Sequence, residues 1–251
     1  MRRSIVAGNW KMNGSLESST ELLKALVHGL GEGSSKAEVL VCPPFPYLPL
    51  AQKVLSGSAI GLGAQNASER NAGAFTGEVS VSMLKEFKTR YVIVGHSERR
   101  SLYGESNDLV AQKFAAVQAH GLCPILCVGE TLEQRDAGKA ELVVTDQLGA
   151  ILNHCGVDAL KQAVIAYEPV WAIGTGKTAT PEQAQQMHGV LRAVVARRSA
   201  PIAGQLRILY GGSVNAKNAQ ELFAQPDIDG GLVGGASLKA DEFISICKSV
   251  S

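Results

Sequence analysis

Four polar side chains that could move protons or hold charge lie where apolar, strand-like runs of the sequence end. Asn9 and Lys11 lie at the end of the first run, His96 at the end of the fourth and Glu168 at the end of the sixth. A glutamate can accept a proton from carbon, and an imidazole can polarise a carbonyl oxygen. A lysine and a neutral amide can stabilise the oxyanion that then develops. These residue types predict a proton transfer next to a carbonyl group.

Two glycine-rich corners add a second kind of group, the backbone N–H. The first corner is Gly211-Gly212-Ser213 and the second is Gly234-Gly235, each after a further apolar run. We expect each corner to lead into a helix N-terminus, where N–H groups and the helix dipole suit a phosphate held without a metal. The combined set predicts chemistry on a small phosphorylated sugar, with no metal and no redox cofactor.

The segment AYEPVWAIGTGKTATPEQ (166–183) contains GTGKT, which is similar to the end of a nucleotide-binding phosphate loop. That loop requires a glycine where this chain has Trp171. Its helix also begins directly at Gly-Lys-Thr, whereas the helix signal here begins at Thr180. We therefore interpret this glycine-rich stretch as a hinged lid whose apolar tip carries Val170, Trp171, Ala172 and Ile173, with Gly174 and Gly176 able to approach an anion.

Other site chemistries have weaker support. The GHSER motif (95–99) lacks the closing glycine of a serine nucleophile elbow. His120, Cys123 and Cys127 could be metal ligands, but the cysteine spacing is one residue too long for a zinc knuckle and no second pair follows. The five cysteines are odd in number and scattered, which favours reduced, mostly buried thiols over a disulfide framework.

The elements that must position these residues are eight β-rich runs separated by helical segments. The runs are nearly continuous in apolar residues, as expected for strands covered on both faces. They span 4–10, 37–42, 58–64, 89–95, 122–129, 162–168, 205–212 and 228–235. No linker or composition break divides them, so we expect one domain over 1–251.

The helical segments show apolar stripes and capping signals. The stripes comprise Leu16, Leu22, Leu23 and Leu26 in the first segment, Val110, Phe114 and Val117 in the fourth, and Met187, Leu191, Val194 and Val195 in the sixth. TPEQ (180–183) and TLEQ (131–134) are capping boxes that predict helix starts. Alternating strands and helices fit an open doubly wound sheet or a closed barrel; the count of eight favours an α/β barrel, the (β/α)8 TIM barrel.

Composition excludes several classes of protein. With 24 Lys and Arg against 23 Asp and Glu, the formal charge is +1, which argues against a nucleic-acid-binding protein. The sequence contains no run of eighteen apolar residues, so no membrane span is predicted. The N-terminal apolar stretch is too short for a secretory signal, so the expected location is the cytoplasm.

The chain resembles the triosephosphate isomerase family from end to end. The resemblance is carried by GNWKMNG (8–14), GAFTGE (73–78), GHSERR (95–100), AYEPVWAIGTGKTAT (166–180), YGGSV (210–214) and LVGGASL (232–238). It implies a (β/α)8 barrel rather than an open sheet. It also implies a cytoplasmic, cofactor-independent isomerase of glycolysis and gluconeogenesis that interconverts dihydroxyacetone phosphate and D-glyceraldehyde 3-phosphate through an enediolate.

The resemblance also implies a role for each site residue. Glu168 would be the catalytic base and His96 the electrophile, with Asn9 and Lys11 completing the catalytic set. Gly174, Ser213, Gly234 and Gly235 would hold the substrate phosphate through backbone N–H groups. Residues 169–178, the lid segment, would form the closing lid. The family is itself the usual example of a neutral catalytic histidine whose pKa is lowered by a helix N-terminus. Ser97 and Glu98, which come directly after His96, suit such a helix start.

The long connection 65–80 predicts a functional loop, because it exceeds the usual two to six residues between strand and helix. By resemblance this loop would enter a groove of a second subunit, giving a homodimer with Thr76 near the neighbouring site and Met12 at the interface. Contacts of residues 67–71 are not transferred, because this part is expected to vary among family members.

Two alternatives remain at this point. A phosphate-binding aldolase would need a Schiff-base lysine in an apolar pocket, and Lys11 is the only candidate at a strand end. The other alternative is a barrel that binds a ligand without catalysis.

Overall fold

Eight parallel strands form a closed barrel in this computed structural model, which describes residues 2–31, 34–174 and 178–250. The strands pair in chain order, and the eighth pairs with the first. They are β1 (Ile5–Asn9), β2 (Glu38–Cys42), β3 (Gly61–Ala64), β4 (Tyr91–Val94), β5 (Cys123–Val128), β6 (Val164–Tyr167), β7 (Arg207–Tyr210) and β8 (Gly230–Val233). The predicted (β/α)8 barrel is confirmed, and the open doubly wound sheet was wrong.

All eight predicted strands are present, each within the run that predicted it and each shorter than that run. The residues at the ends of the runs leave the ladder to form loops. Asn9 ends β1 itself, whereas His96 and Glu168 lie beyond the last residues of β4 and β6. The side chains that could do chemistry therefore lie at the carboxyl ends of the strands, where barrel enzymes place their sites.

Both faces of the strands are buried because two apolar layers cover them. One layer fills the barrel and includes Leu40, Ile93 and Leu209. The other lies between barrel and helices and includes Val41 and Phe114. This double burial explains the nearly continuous apolar composition of the strands.

Helices surround the barrel on its outside. In the described part of the chain they are α1 (Leu16–Gly29), α2 (Leu48–Val54), α3 (Val81–Glu86), α4 (Ser97–Tyr103), α5 (Asn107–Ala119), α6 (Leu132–Asp136), α7 (Ala140–Cys155), α8 (Pro181–Ala196), α9 (Ala200–Gln205), α10 (Ala219–Phe223) and α11 (Ala240–Lys248). Among the described residues, no helix combines the length and the apolar character needed to cross a membrane.

Both predicted capping boxes are present. Thr131 caps α6 and Thr180 caps α8, each with the reciprocal hydrogen bonds to the glutamine three residues on. The stripe of α5 is buried as predicted. In α1, Leu23 and Leu26 are buried, but Leu16 is 66% exposed and its placement in the stripe was wrong. Leu16 is the first residue of the helix after its Ser15 cap, beyond the part that packs on the barrel.

Candidate active site

Glu168 and His96 form a buried pair at the carboxyl ends of β6 and β4. Glu168 Oε1 lies 2.9 Å from His96 Nε2, and both side chains are less than 10% exposed. The second carboxylate oxygen, Oε2, accepts a hydrogen bond of 2.9 Å from the backbone N–H of Ser97. The chain thus places a candidate base in contact with a candidate electrophile.

His96 is also the N-cap of α4, the helix that Ser97 and Glu98 predicted. The backbone N–H of Glu98 donates a hydrogen bond of 3.2 Å to His96 Nδ1. Since Nδ1 accepts this bond, a neutral ring carries its proton on Nε2, the atom that faces Glu168. The helix start therefore fixes the tautomer that can donate a proton toward the cavity.

The pair shifts the pKa values of both groups. Burial alone lowers the pKa of His96, but the attraction and hydrogen bond of Glu168 outweigh it, so the pKa of His96 is raised. Burial raises the pKa of Glu168, but His96 and the Ser97 N–H outweigh it, so the pKa of Glu168 is lowered. The resemblance implies a lowered histidine pKa, whereas in this arrangement the contact with the carboxylate raises the pKa of His96.

Lys11 is held in a strained backbone conformation beside this pair. Its φ is +52°, a value unusual for a residue with a side chain. The Asn9 Oδ1 accepts a hydrogen bond of 3.1 Å from the Lys11 N–H, and Gln65 Nε2 donates to the Lys11 carbonyl at 2.8 Å. Lys11 Nζ forms an ion pair with Glu98 Oε1 at 2.5 Å. These contacts fix the cation at the edge of the cavity.

Two glycines allow the strand ends to approach Glu168 closely. A methyl group on Gly129 would collide with the Glu168 carbonyl oxygen. A methyl group on Gly211 would lie 2.9 Å from Glu168 Cγ. The position of the carboxylate therefore depends on the absence of side chains at two neighbouring corners of the barrel.

All the predicted site residues line one cavity of about 570 Å³ at this end of the barrel. They are Asn9, Lys11, His96, Glu168, Gly174, Ser213, Gly234 and Gly235. Asn13, Asn215, Lys239 and Glu242 also line it, although the sequence did not single them out. The volume suits a small molecule.

The two glycine-rich corners lead into different local structures. The second corner leads directly into a 3₁₀ helix, Gly235–Leu238, as expected. After the first corner the helix begins only at Ala219, so the expectation of an immediate helix N-terminus was wrong there. The reason is a side-chain turn, in which Asn215 Oδ1 accepts hydrogen bonds from the N–H groups of Lys217 and Asn218.

The start of the lid segment is tied to Glu130, a fully buried residue. Glu130 Oε1 accepts hydrogen bonds from Trp171 Nε1 at 2.8 Å and from Tyr167 Oη at 3.0 Å. Arg135 forms an ion pair with the same oxygen at 3.2 Å. Gly174 has a φ of +69°, which suits glycine. Thr175, the last residue of the predicted lid, and Gly176 and Lys177, which belong to its predicted hinge, lie outside the described residues.

Sequence reasoning missed three groups that hold the site: the Ser97 N–H, Glu98 and Glu130. Glu130 comes after β5 just as Glu168 comes after β6, so the rule that selected strand-end side chains would have found it. No local pattern indicates that the Ser97 N–H meets a carboxylate 71 residues away in the chain.

Comparisons with known proteins agree with this arrangement. The triosephosphate isomerase family model matches residues 4–250. A triosephosphate isomerase of Dechloromonas aromatica is 57% identical over 251 residues, covering 100% of both chains. One of Thiobacillus denitrificans is 59% identical over 251 residues with the same coverage. One of Alcanivorax borkumensis is 58% identical over 248 residues, covering 99% of this chain and 98% of the relative. The chain therefore belongs to the triosephosphate isomerase family.

Proposed function

We propose that this protein interconverts dihydroxyacetone phosphate and D-glyceraldehyde 3-phosphate. The observation that carries the proposal is the contact of Glu168 with His96 at the wall of a cavity that Lys11 also lines. A carboxylate base, a proton donor and a cation within one small cavity match the needs of a reaction that passes through an enediolate.

Glu168 takes a proton from the carbon next to the substrate carbonyl, and the electron pair of the broken C–H bond forms the enediolate double bond. His96 donates its Nε2 proton to the carbonyl oxygen and recovers a proton from the neighbouring hydroxyl. Glu168 then returns its proton to the adjacent carbon. The ketose and the aldose differ only in which carbon carries this proton, so no redox cofactor or metal is required.

Lys11 and Asn9 stabilise the oxyanion in this scheme. The Lys11 ammonium supplies a fixed positive charge, and the Asn9 side chain supplies a neutral donor. Backbone N–H groups of Gly174, Ser213, Gly234 and Gly235 hold the phosphate.

The lid segment protects the enediolate. When this intermediate is exposed to water, its C–O bond to phosphate breaks, the phosphate leaves with the electron pair, and the remaining enol becomes methylglyoxal. Closure that excludes water prevents this loss.

The environment of Lys11 argues against the aldolase alternative. A Schiff-base lysine must be neutral to attack a carbonyl, and such lysines lie in apolar pockets. Here Nζ forms an ion pair with the Glu98 carboxylate and does not lie in an apolar pocket. Borohydride treatment with a ketose phosphate tests this directly, since a covalent adduct would support the aldolase and overturn the isomerase.

In this proposal the active form of the protein is a homodimer that acts in the cytoplasm. Each chain forms a single domain over residues 1–251. The 65–80 loop is well suited to enter a second subunit. Met12 is 95% exposed and Phe75 is 44% exposed, so both apolar side chains are available to an interface. In the dimer these residues would be covered, and Thr76 would lie near the partner's site.

A coupled assay tests the function. Purified protein should convert D-glyceraldehyde 3-phosphate to dihydroxyacetone phosphate, which a dehydrogenase then consumes with a change in nicotinamide absorbance. Turnover that persists after chelator treatment supports an isomerase without metal. No turnover by folded, dimeric protein would favour the non-catalytic barrel.

A further inference from the structure

His188 is a fully buried histidine that takes no part in the proposed chemistry. It lies on α8, the helix that comes after the lid segment, and is 0% exposed. Its Nδ1 lies 3.2 Å from the carbonyl oxygen of Asp227, a contact that fixes the ring. A buried histidine at a purely structural position would need only such a hydrogen bond and apolar neighbours.

The neighbours of His188 are instead two tyrosines that belong to the site end of the barrel. The Tyr167 ring stands perpendicular to the imidazole, with centroids 5.8 Å apart and an interplanar angle of 88°. The Tyr210 ring lies on another side at 6.4 Å. Edge-to-face contacts of this kind fix the orientation of the rings that make them.

Tyr167 connects this contact to the lid. Its hydroxyl donates to Glu130 Oε1, the same atom that accepts the Trp171 Nε1 hydrogen bond. The Val170 N–H also donates to the Glu130 carbonyl oxygen at 3.1 Å. The first residues of the lid segment are thus attached to Glu130 through both side chain and backbone, and Tyr167 orients the side chain of Glu130.

Tyr167 is also the residue immediately before Glu168. Any rotation of the β6 end that moves the Tyr167 ring moves the backbone of the base. His188 therefore contacts Tyr167. This residue precedes Glu168 in the chain and donates a hydrogen bond to Glu130, which holds the start of the lid segment. Its own helix begins at the opposite end of the lid segment, at Pro181.

We propose that His188 is a positioning residue for the isomerisation: its ring fixes Tyr167 against Glu130 and so sets the placement of residues 169–174, the described first part of the lid segment. The inference rests on the proposed function. It predicts that loss of the ring damages catalysis through misplacement of the lid, whereas loss of an ordinary core side chain damages only stability.

Two substitutions separate the ring from its hydrogen bond. His188→Asn keeps a donor near the position of Nδ1 for the Asp227 carbonyl but removes the ring face that meets Tyr167. His188→Phe keeps a ring and removes the hydrogen bond. Leu191→Ala is the matched control, because Leu191 is also fully buried on α8.

The readouts are kcat, KM and the fraction of enediolate lost as methylglyoxal and inorganic phosphate. We expect His188→Asn to lower kcat by about tenfold or more, since small misplacements can cost about 10²-fold, and to raise the methylglyoxal fraction by a similar factor. His188→Phe should stay within about threefold of the parent in both, and Leu191→Ala should lower only the melting temperature. A parent-like kcat and methylglyoxal fraction in His188→Asn would overturn the proposal, as would equal damage in His188→Asn and His188→Phe.

Tyr167→Phe gives a second test that does not depend on the folding of His188→Asn. It removes the hydroxyl that orients Glu130 and should raise the methylglyoxal fraction to a similar extent. Combined with His188→Asn it should add little, because both changes break the same connection. An unchanged methylglyoxal fraction in Tyr167→Phe contradicts the inference, and so do multiplicative effects in the double variant.

Trp171 provides a readout that needs no turnover. The chain has two tryptophans, and the other, Trp10, is buried and is not attached to Glu130. Phosphoglycolate, an anion of the substrate's size, should change the tryptophan emission of the parent and change it less in His188→Asn. An inactive parent would refute the proposed function, whereas an active parent with equal emission changes in both proteins would refute the role of His188 alone.

Discussion

The carboxylate of Glu168 and the imidazole of His96 are in direct contact, with Oε1 and Nε2 2.9 Å apart. The other carboxylate oxygen is occupied by the Ser97 N–H. A base whose two oxygens both accept hydrogen bonds from the same loop must exchange at least one of them for the substrate before it can take a proton. The observed arrangement is therefore a resting position of the base, and binding of the substrate must compete with it.

Glu168→Gln should lower kcat by at least the roughly 10² to 10⁴ that general base catalysis contributes. The amide keeps the size of the side chain, and its oxygen can still accept one of the two hydrogen bonds, but it cannot accept the carbon-bound proton. Steady-state kinetics in both directions measure the effect. Glu133→Gln, at an exposed position of α6, is the control and should match the parent. A near-normal kcat in Glu168→Gln would remove this residue from the mechanism.

Gly129→Ala should damage both stability and catalysis. The added methyl group collides with the Glu168 carbonyl oxygen, and overpacking of this kind costs about 1–3 kcal/mol of unfolding free energy. The shift of Glu168 should lower kcat by up to about 10²-fold. Denaturant unfolding and kinetics measure the two effects. Gly149→Ala on α7, where a methyl group meets no atom, should instead stabilise by about 0.5–1 kcal/mol. Parent-like behaviour of Gly129→Ala would mean that the corner can relax freely.

Glu98→Gln should move the acid limb of kcat/KM to lower pH. Burial lowers the pKa of His96, whereas Glu168 and also Glu98 raise it. With a raised pKa, the ring is neutral above that value and becomes charged as the pH falls through it. Removing the Glu98 charge lowers the pKa of His96, so the imidazole stays neutral to lower pH. The kcat/KM profile reports the free enzyme, and the titration of the substrate phosphate cancels in the comparison with the parent. An acid limb that stays in place or moves upward contradicts this assignment.

Acid should destabilise the fold through His188, and His188→Phe should remove that part of the pH dependence. Burial lowers the pKa of His188 to about 4. The groups that face it are the rings of Tyr167 and Tyr210, Arg192 on its own helix, and Asp227.

Proton uptake determines the sign of the effect. In the unfolded chain His188 has an ordinary pKa and binds a proton more readily than in the folded protein. Its contribution to the free energy of unfolding is therefore fully present above about pH 6.5 and is lost as the pH falls toward about 4. The loss between about pH 7 and about pH 5 is about 2 kcal/mol. Denaturant unfolding at both pH values and equal protein concentration measures it. The same slope in His188→Phe and in the parent would show that other groups cause the acid sensitivity.

Phe75→Glu should convert the proposed dimer into monomers. A charge placed in a closed interface without a partner costs several kcal/mol, which is a large part of the binding energy of a dimer. Sedimentation velocity gives the oligomeric state, and the isomerase assay gives the activity. Leu142→Glu is the control, since Leu142 on α7 is 59% exposed and apolar but lies far from the 65–80 loop in sequence. Dimers in Phe75→Glu would place the interface elsewhere.

Patterns within a few residues of one another predicted much of this protein. Apolar runs indicated all eight strands, and the Thr-Pro-Glu-Gln and Thr-Leu-Glu-Gln sequences gave two helix starts, because burial of a strand and capping of a helix depend on neighbouring residues. The motifs around Asn9, His96 and Glu168 indicated the family and the residues of the site. The apolar runs next to these motifs placed them at the ends of strands.

The tertiary structure alone decided how the residues meet. Three contacts join residues far apart in the chain: the pairing of β1 with β8 that closes the barrel, the hydrogen bond of the Ser97 N–H to Glu168, and the hydrogen bond of Trp171 Nε1 to Glu130. The raised pKa of His96 depends on one such contact, since a carboxylate 2.9 Å away outweighs burial. Sequence determined which groups are present at the site, whereas distance and burial, which only the folded chain sets, determined which atoms are in contact and in which direction their pKa values shift.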